Sequence, residues 1–132
     1  MKINDFLTLR SIVALAYGVG LLLAPAALLS LYGIAPDPGL HLMSRFLGVE
    51  LLFVGLLCFS ARRFTKPATV RALITSLLIA EAVGVLVALS GTLSGVFNSL
   101  GWTIVLIYGL FSLGYLYFLF VKPTVSLSTQ TE

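Results

Sequence analysis

Four long apolar stretches, separated by short clusters of turn-forming and polar residues, set the pattern of this chain. They run from about Ser11 to Leu31, Leu42 to Ala61, Ala72 to Leu89 and Trp102 to Val121. Each approaches the ~20 residues that a helix needs to cross ~30 Å of hydrocarbon. The breaks between them carry turn chemistry. Pro36-Asp37-Pro38-Gly39 interrupts a helix because proline lacks an amide donor and restricts the residue before it. The second break holds Pro67, and the third, Ser90 to Gly101, holds Gly91, Gly95 and Gly101 with no charge. Short links favour antiparallel neighbours. The pattern predicts an all-α fold: an integral membrane four-helix up-and-down bundle over residues 1–121, followed by a mobile polar tail over residues 122–132. Pro25 is expected to kink the far end of the first helix.

Composition supports lipid as the solvent. Hydrophobic residues make up 59% of the 132-residue chain and charged residues 10%, against about 25% charged in a globular domain. A soluble four-helix bundle needs a polar stripe along every helix. Eight cations and five anions do not supply four such stripes.

The basic residues also orient the bundle. An even number of spans puts both termini and the loop from Arg62 to Arg71 on one side. That side holds Lys2, Arg10, Arg62, Arg63, Lys66, Arg71 and Lys122, and leaves Arg45 on the other. The asymmetry predicts a multi-pass protein of the cell (inner) membrane with cytoplasmic N- and C-termini. Trp102 then anchors the outer interface, with Tyr115 and Tyr117 towards the inner one. The net charge of +3 belongs to this loop pattern, so no nucleic-acid partner is expected. A second reading of the first stretch is a cleavable signal peptide, since Lys2 and Arg10 precede an apolar run and Ala24-Pro25-Ala26. Continuation through Ala27, Leu28, Leu29 and Leu31 favours a full, retained span.

Chemistry-bearing residues are few. Cys58 is the single cysteine and His41 the single histidine. An intrachain disulfide and a bis-histidine haem are therefore excluded, and no metal site or other cofactor is expected. No nucleotide loop, nucleophile elbow or catalytic histidine is present. Glu50 and Glu81 stand out, because an ionisable side chain inside an apolar span costs at least ~2.5 kcal/mol on insertion scales and marks function unusually often. Glu50 lies ~12 Å in from Leu42, and Glu81 ~13 Å in from Ala72 on the antiparallel neighbour. Similar depth makes them expected neighbours near the midplane, where two carboxylates cannot both ionise cheaply. They form a candidate polar or proton site, or a neutral hydrogen-bonded fastening. Arg45 joins them as a candidate partner for Glu81 through the bundle, with snorkelling to the headgroups preferred. Arg10 reads as an anchor at the cytoplasmic edge. Ala14/Gly18, Ala16/Gly20 and Ser44/Gly48 are small-xxx-small pairs, with Gly55 beyond, and predict close helix packing within the chain or between chains.

The segments LRSIVALAYGVGLLLAPAALLSLYG and SRFLGVELLFVGLLCFSARR, from Leu9 to Arg63 around a Pro/Gly turn, resemble small bacterial four-helix membrane proteins, the DoxX-like set among them. The likeness covers about the first half of the chain. It implies a four-helix membrane fold and, for DoxX itself, association with a quinone-linked oxidoreductase complex. No residue here matches a redox motif, so no catalytic residue is carried across. The leading expectation is a non-enzymatic accessory subunit or binding module, with the lipid bilayer and a homo-oligomer or larger membrane complex as partners. The alternatives are a proton- or cation-coupled transporter or channel using Glu50 and Glu81, and a quinone- or lipid-linked enzyme subunit.

Overall fold

The computed structural model describes residues 2–35 and 37–121; the tail expected over 122–132 lies outside the described residues. The chain folds as α1 (Ile3–Leu23), α2 (Pro25–Leu31), α3 (Pro38–Ala61), α4 (Pro67–Leu93) and α5 (Gly101–Leu116), the last continuing as a π-helical turn over Tyr117–Val121. Four helices are long and apolar enough to cross a membrane: α1, α3, α4 and α5 with its π-turn. The fold is an all-α bundle, and its composition is that of a multi-pass membrane protein.

Prolines set most of the boundaries. Pro25, Pro38 and Pro67 each stand in the first turn of a helix, where a missing amide and a fixed φ do no harm. Asp37 caps α3 by accepting a hydrogen bond from the Leu40 amide at 2.8 Å. The helices therefore start further out than the apolar stretches suggest, at Ile3, Pro38 and Pro67 instead of Ser11, Leu42 and Ala72. A membrane helix continues past the hydrocarbon until its backbone meets a breaker, whereas hydropathy marks only the hydrocarbon. Pro25 does more than kink the first span: with Ala24 at φ −137°, ψ 55° it separates α1 from α2.

The helices form two tight antiparallel pairs. In the first, α1 lies against α3 along Ser11, Ala14 and Gly18 on one side and Ser44, Gly48 and Gly55 on the other, all buried. A Cβ added at Gly48 would stand 2.9 Å from the Gly18 carbonyl oxygen, and the converse holds for Gly18. This seam requires glycine. Ser11 Oγ donates to the Gly55 carbonyl at 2.8 Å, and at the basic end Arg62 Nη1 donates to Thr8 Oγ1 at 3.2 Å. In the second pair, the Tyr108 ring of α5 lies over Gly84 of α4. Small residues at the contact give dispersion and close backbones where apolar side chains gain nothing by leaving lipid.

Between the pairs, large side chains do the packing. The Phe6 ring of α1 meets Phe111, Tyr115 and Phe118 of the α5 segment at centroid distances of 5.5, 5.0 and 5.4 Å. With Leu7, Cys58, Ala61, Ile74 and Leu77 these rings make the core of the basic half. Tyr115 is thus fully buried and is not the interfacial anchor expected of it; Trp102 and Tyr117 are exposed. At the opposite end, Asn98 of the α4–α5 loop ties down the turn after α2. Its amide donates to the Tyr32 carbonyl at 2.9 Å and its Nδ2 to the Leu31 carbonyl at 2.8 Å. Gly33 makes that turn at φ +80°, a region a side chain would strain.

Candidate functional site

Arg10 and Glu81 meet in the interior. Arg10 Nε donates to Glu81 Oε1 at 2.6 Å, joining α1 to α4 across the gap between the two pairs. Both residues are buried, at 6% and 2% exposure. The guanidinium also lies over the Phe111 ring, 5.1 Å from its centroid, a geometry that favours a cation. Arg10 is therefore not an edge anchor. The helix begins at Ile3, so Arg10 sits seven residues, or ~10 Å, inside it. A lone charge is costly in lipid and so marks the end of a span, whereas a charge paired in the interior is not subject to that rule.

The expected Glu50–Glu81 neighbours are not brought together. Glu50 is exposed on the outside of α3 and makes no hydrogen bond or ion pair among the described residues. The α1–α3 register, Ser11 at Gly55 and Gly18 at Gly48, puts Glu50 level with Ala16. That is six residues, or ~9 Å, from Arg10 along the bundle. The two carboxyl groups differ in face, Glu50 outside the bundle and Glu81 inside it. Arg45 is also exposed on α3 and does not reach Glu81. Of the three candidates Glu50, Glu81 and Arg45, only Glu81 enters the interior, and its partner is Arg10, read from the sequence as an edge anchor. The available signal was that Arg10 is followed by apolar residues yet preceded by Phe6 and Leu7, an apolar pair too early for a headgroup anchor.

The ion pair forms part of the floor of a cavity of about 170 Å3. Its walls come from α1 (Val13, Ala14, Tyr17, Leu21), α2 (Leu28, Leu29), α3 (Leu47, Leu51) and α5 (Ile104, Ile107, Tyr108), with Tyr32, Ile34 and Phe97 at the opposite end. The cavity follows from the packing. Aromatic rings fill the gap between the pairs in the basic half, and nothing of comparable bulk fills it beyond Arg10. Leu47 of α3, half exposed, carries the wall out to the bundle surface. At the far end Tyr17 and Tyr32 share a hydrogen bond between hydroxyls at 2.8 Å, and the Tyr32 and Phe97 rings meet edge to face at 6.1 Å.

Its polar groups are mainly donors. Arg10 spends only Nε on protein among the described residues, leaving further N–H groups of its five, and Tyr17, Tyr32 and Tyr108 are among the residues of the walls. Glu81 cancels the charge of Arg10, so the floor is polar but neutral overall. Oε2 of Glu81 is enclosed without a hydrogen-bond partner. Among the described residues no three His, Cys, Asp or Glu side chains gather as a metal site. Comparison with family models, with curated proteins and with solved structures found no match.

Proposed function

We propose that this protein is a binding module for a small neutral amphiphile taken from the bilayer. The observation that carries the reading is the apolar cavity ending on a charge-balanced donor, Arg10 paired with Glu81. Pockets of this kind, mostly apolar with a few converging polar groups, are the usual form of small-molecule sites. An apolar cavity of ~150 Å3 takes up benzene, so this one suits a single ring or a short acyl segment. The spare N–H groups of Arg10 call for an acceptor such as a carbonyl oxygen. A carboxylate suits the floor less well, because Glu81 already neutralises the guanidinium. The rim at half-exposed Leu47 gives a lateral way in from lipid.

The transport reading rested on two adjacent carboxylates. With Glu50 outside and Glu81 held by Arg10, that coupled pair is absent from this conformation, and the binding reading is preferred. The basic end, with Lys2, Arg62, Arg63, Lys66 and Arg71, is assigned to the cytoplasm of a cell membrane on charge asymmetry. Cysteines at Gly39 and Thr65, labelled from either side, test that orientation.

Three probes of one size test the binding. Acetophenone has a ring and a carbonyl, ethylbenzene lacks the acceptor, and benzoate carries a charge. Acetophenone should raise the melting temperature of the protein in nanodiscs more than the other two. A saturating ligand at one hundred times its Kd stabilises by about 2.7 kcal/mol. Ile104→Trp, which fills the cavity, should remove the difference between probes. Equal responses to all three, or a response that survives Ile104→Trp, would refute the reading.

A further inference from the structure

Glu50 has no role in the cavity, which Leu47 and Leu51 of the same helix line without it. It stands twelve residues from the start of α3 and eleven from its end, ~18 and ~16 Å along the axis. A glutamate side chain spans a few ångströms, so from this position it reaches neither headgroup region. It also points away from the bundle: two residues from Gly48, it is rotated ~200° from the seam that faces α1. Phe46, Val49 and Phe53, at 58%, 52% and 60% exposure, surround it on the same outer face. The result is a carboxyl group held against lipid at mid-span with no partner among the described residues.

We propose that this face of α3 binds a second copy of the chain, with the two Glu50 carboxyl groups hydrogen-bonded to each other across a two-fold axis along the membrane normal. The occupant follows from complementarity. Copies inserted in one orientation place Glu50 at the same depth, and a two-fold interface sets each residue against its own equivalent near the axis. A carboxyl pair is self-complementary, each O–H donating to the other's carbonyl oxygen. Phe46 and Phe53, one turn to either side, flank the pair and exclude lipid from it. Leu47, ~60° round the helix from Glu50 on the side away from Phe46 and Phe53, borders the contact.

Energy transfer between donor- and acceptor-labelled full-length chains in liposomes, over a range of protein-to-lipid ratios, measures the association. Glu50→Gln keeps a donor and an acceptor and should associate as the wild type does, within about threefold. Glu50→Leu should weaken association roughly three- to thirtyfold, the range for one or two hydrogen bonds between membrane helices. Leu should not harm folding, since it replaces a polar group in lipid; unchanged thermal stability checks this. Cysteine at Phe53 should cross-link between copies, whereas cysteine at Leu86 on α4 should not, and buried Cys58 contributes no background. A chain monomeric at every ratio, a Leu variant that associates like the wild type, or cross-linking at Leu86 in place of Phe53 would each overturn the proposal.

Discussion

Replacing Glu81 by leucine leaves the Arg10 guanidinium in the interior with no anion beside it. The structure sets the scale of the loss. One charge-assisted hydrogen bond of 2.6 Å disappears, and the remaining cation is only 6% exposed. Removing one partner of a buried pair costs about 3–5 kcal/mol, and insertion scales give about 2.5–3.5 kcal/mol for a lone arginine at mid-span. Both Glu81→Leu and Arg10→Leu should therefore lose about 3 kcal/mol. The double variant carries no buried charge, and two leucines fill part of the same space. Exchanging a whole buried pair for apolar residues is often neutral, so it should lie within about 1 kcal/mol of wild type. The coupling energy of the cycle then exceeds 2 kcal/mol. Reversible unfolding in mixed micelles, followed by circular dichroism, measures all four proteins. Additive single losses, with coupling under about 0.5 kcal/mol, would show that the two charges do not depend on each other and would sink the argument.

Two further predictions concern the frame around the cavity. Gly48→Ala puts a methyl 2.9 Å from the Gly18 carbonyl, so α1 and α3 must part, and the same unfolding assay should show a loss of about 1–3 kcal/mol; full stability would mean the seam is looser than described. Asp37→Ala removes the cap on the Leu40 amide and should lower stability by about 1 kcal/mol, with Asp37→Asn close to wild type; equal loss in both would point to charge instead of capping.

The spans were legible because their cause is local: a run of apolar residues long enough for the bilayer, stopped by Pro38, Pro67 or a glycine-rich loop. The facing of the helices was not. In water, the apolar side of a helix names the inside. In lipid the outside is equally apolar, and α3 and α4 are hydrophobic all round. Glu50 and Glu81 are consequently alike in sequence, and packing alone puts one against arginine and the other against lipid. Small residues were the better guide, since close approach is what the interior of such a bundle selects. Ala14, Gly18, Ser44, Gly48 and Gly55 all lie in the α1–α3 seam, although the parallel Ala16/Gly20 pair points elsewhere, with Ala16 exposed. The cavity was invisible because it arises from what two helix pairs fail to fill, a property of no single stretch of sequence.

The ion pair between α1 and α4 joins residues 71 positions apart, and that separation has a consequence during synthesis. A ribosome adding about 5–20 residues per second makes Arg10 roughly 4–14 s before Glu81. Through that interval the arginine lacks its partner carboxylate, and α3 is completed before that carboxylate is made. The order of translation thus completes the α1–α3 pair before the carboxylate that neutralises its arginine exists, and the α4–α5 pair only after it.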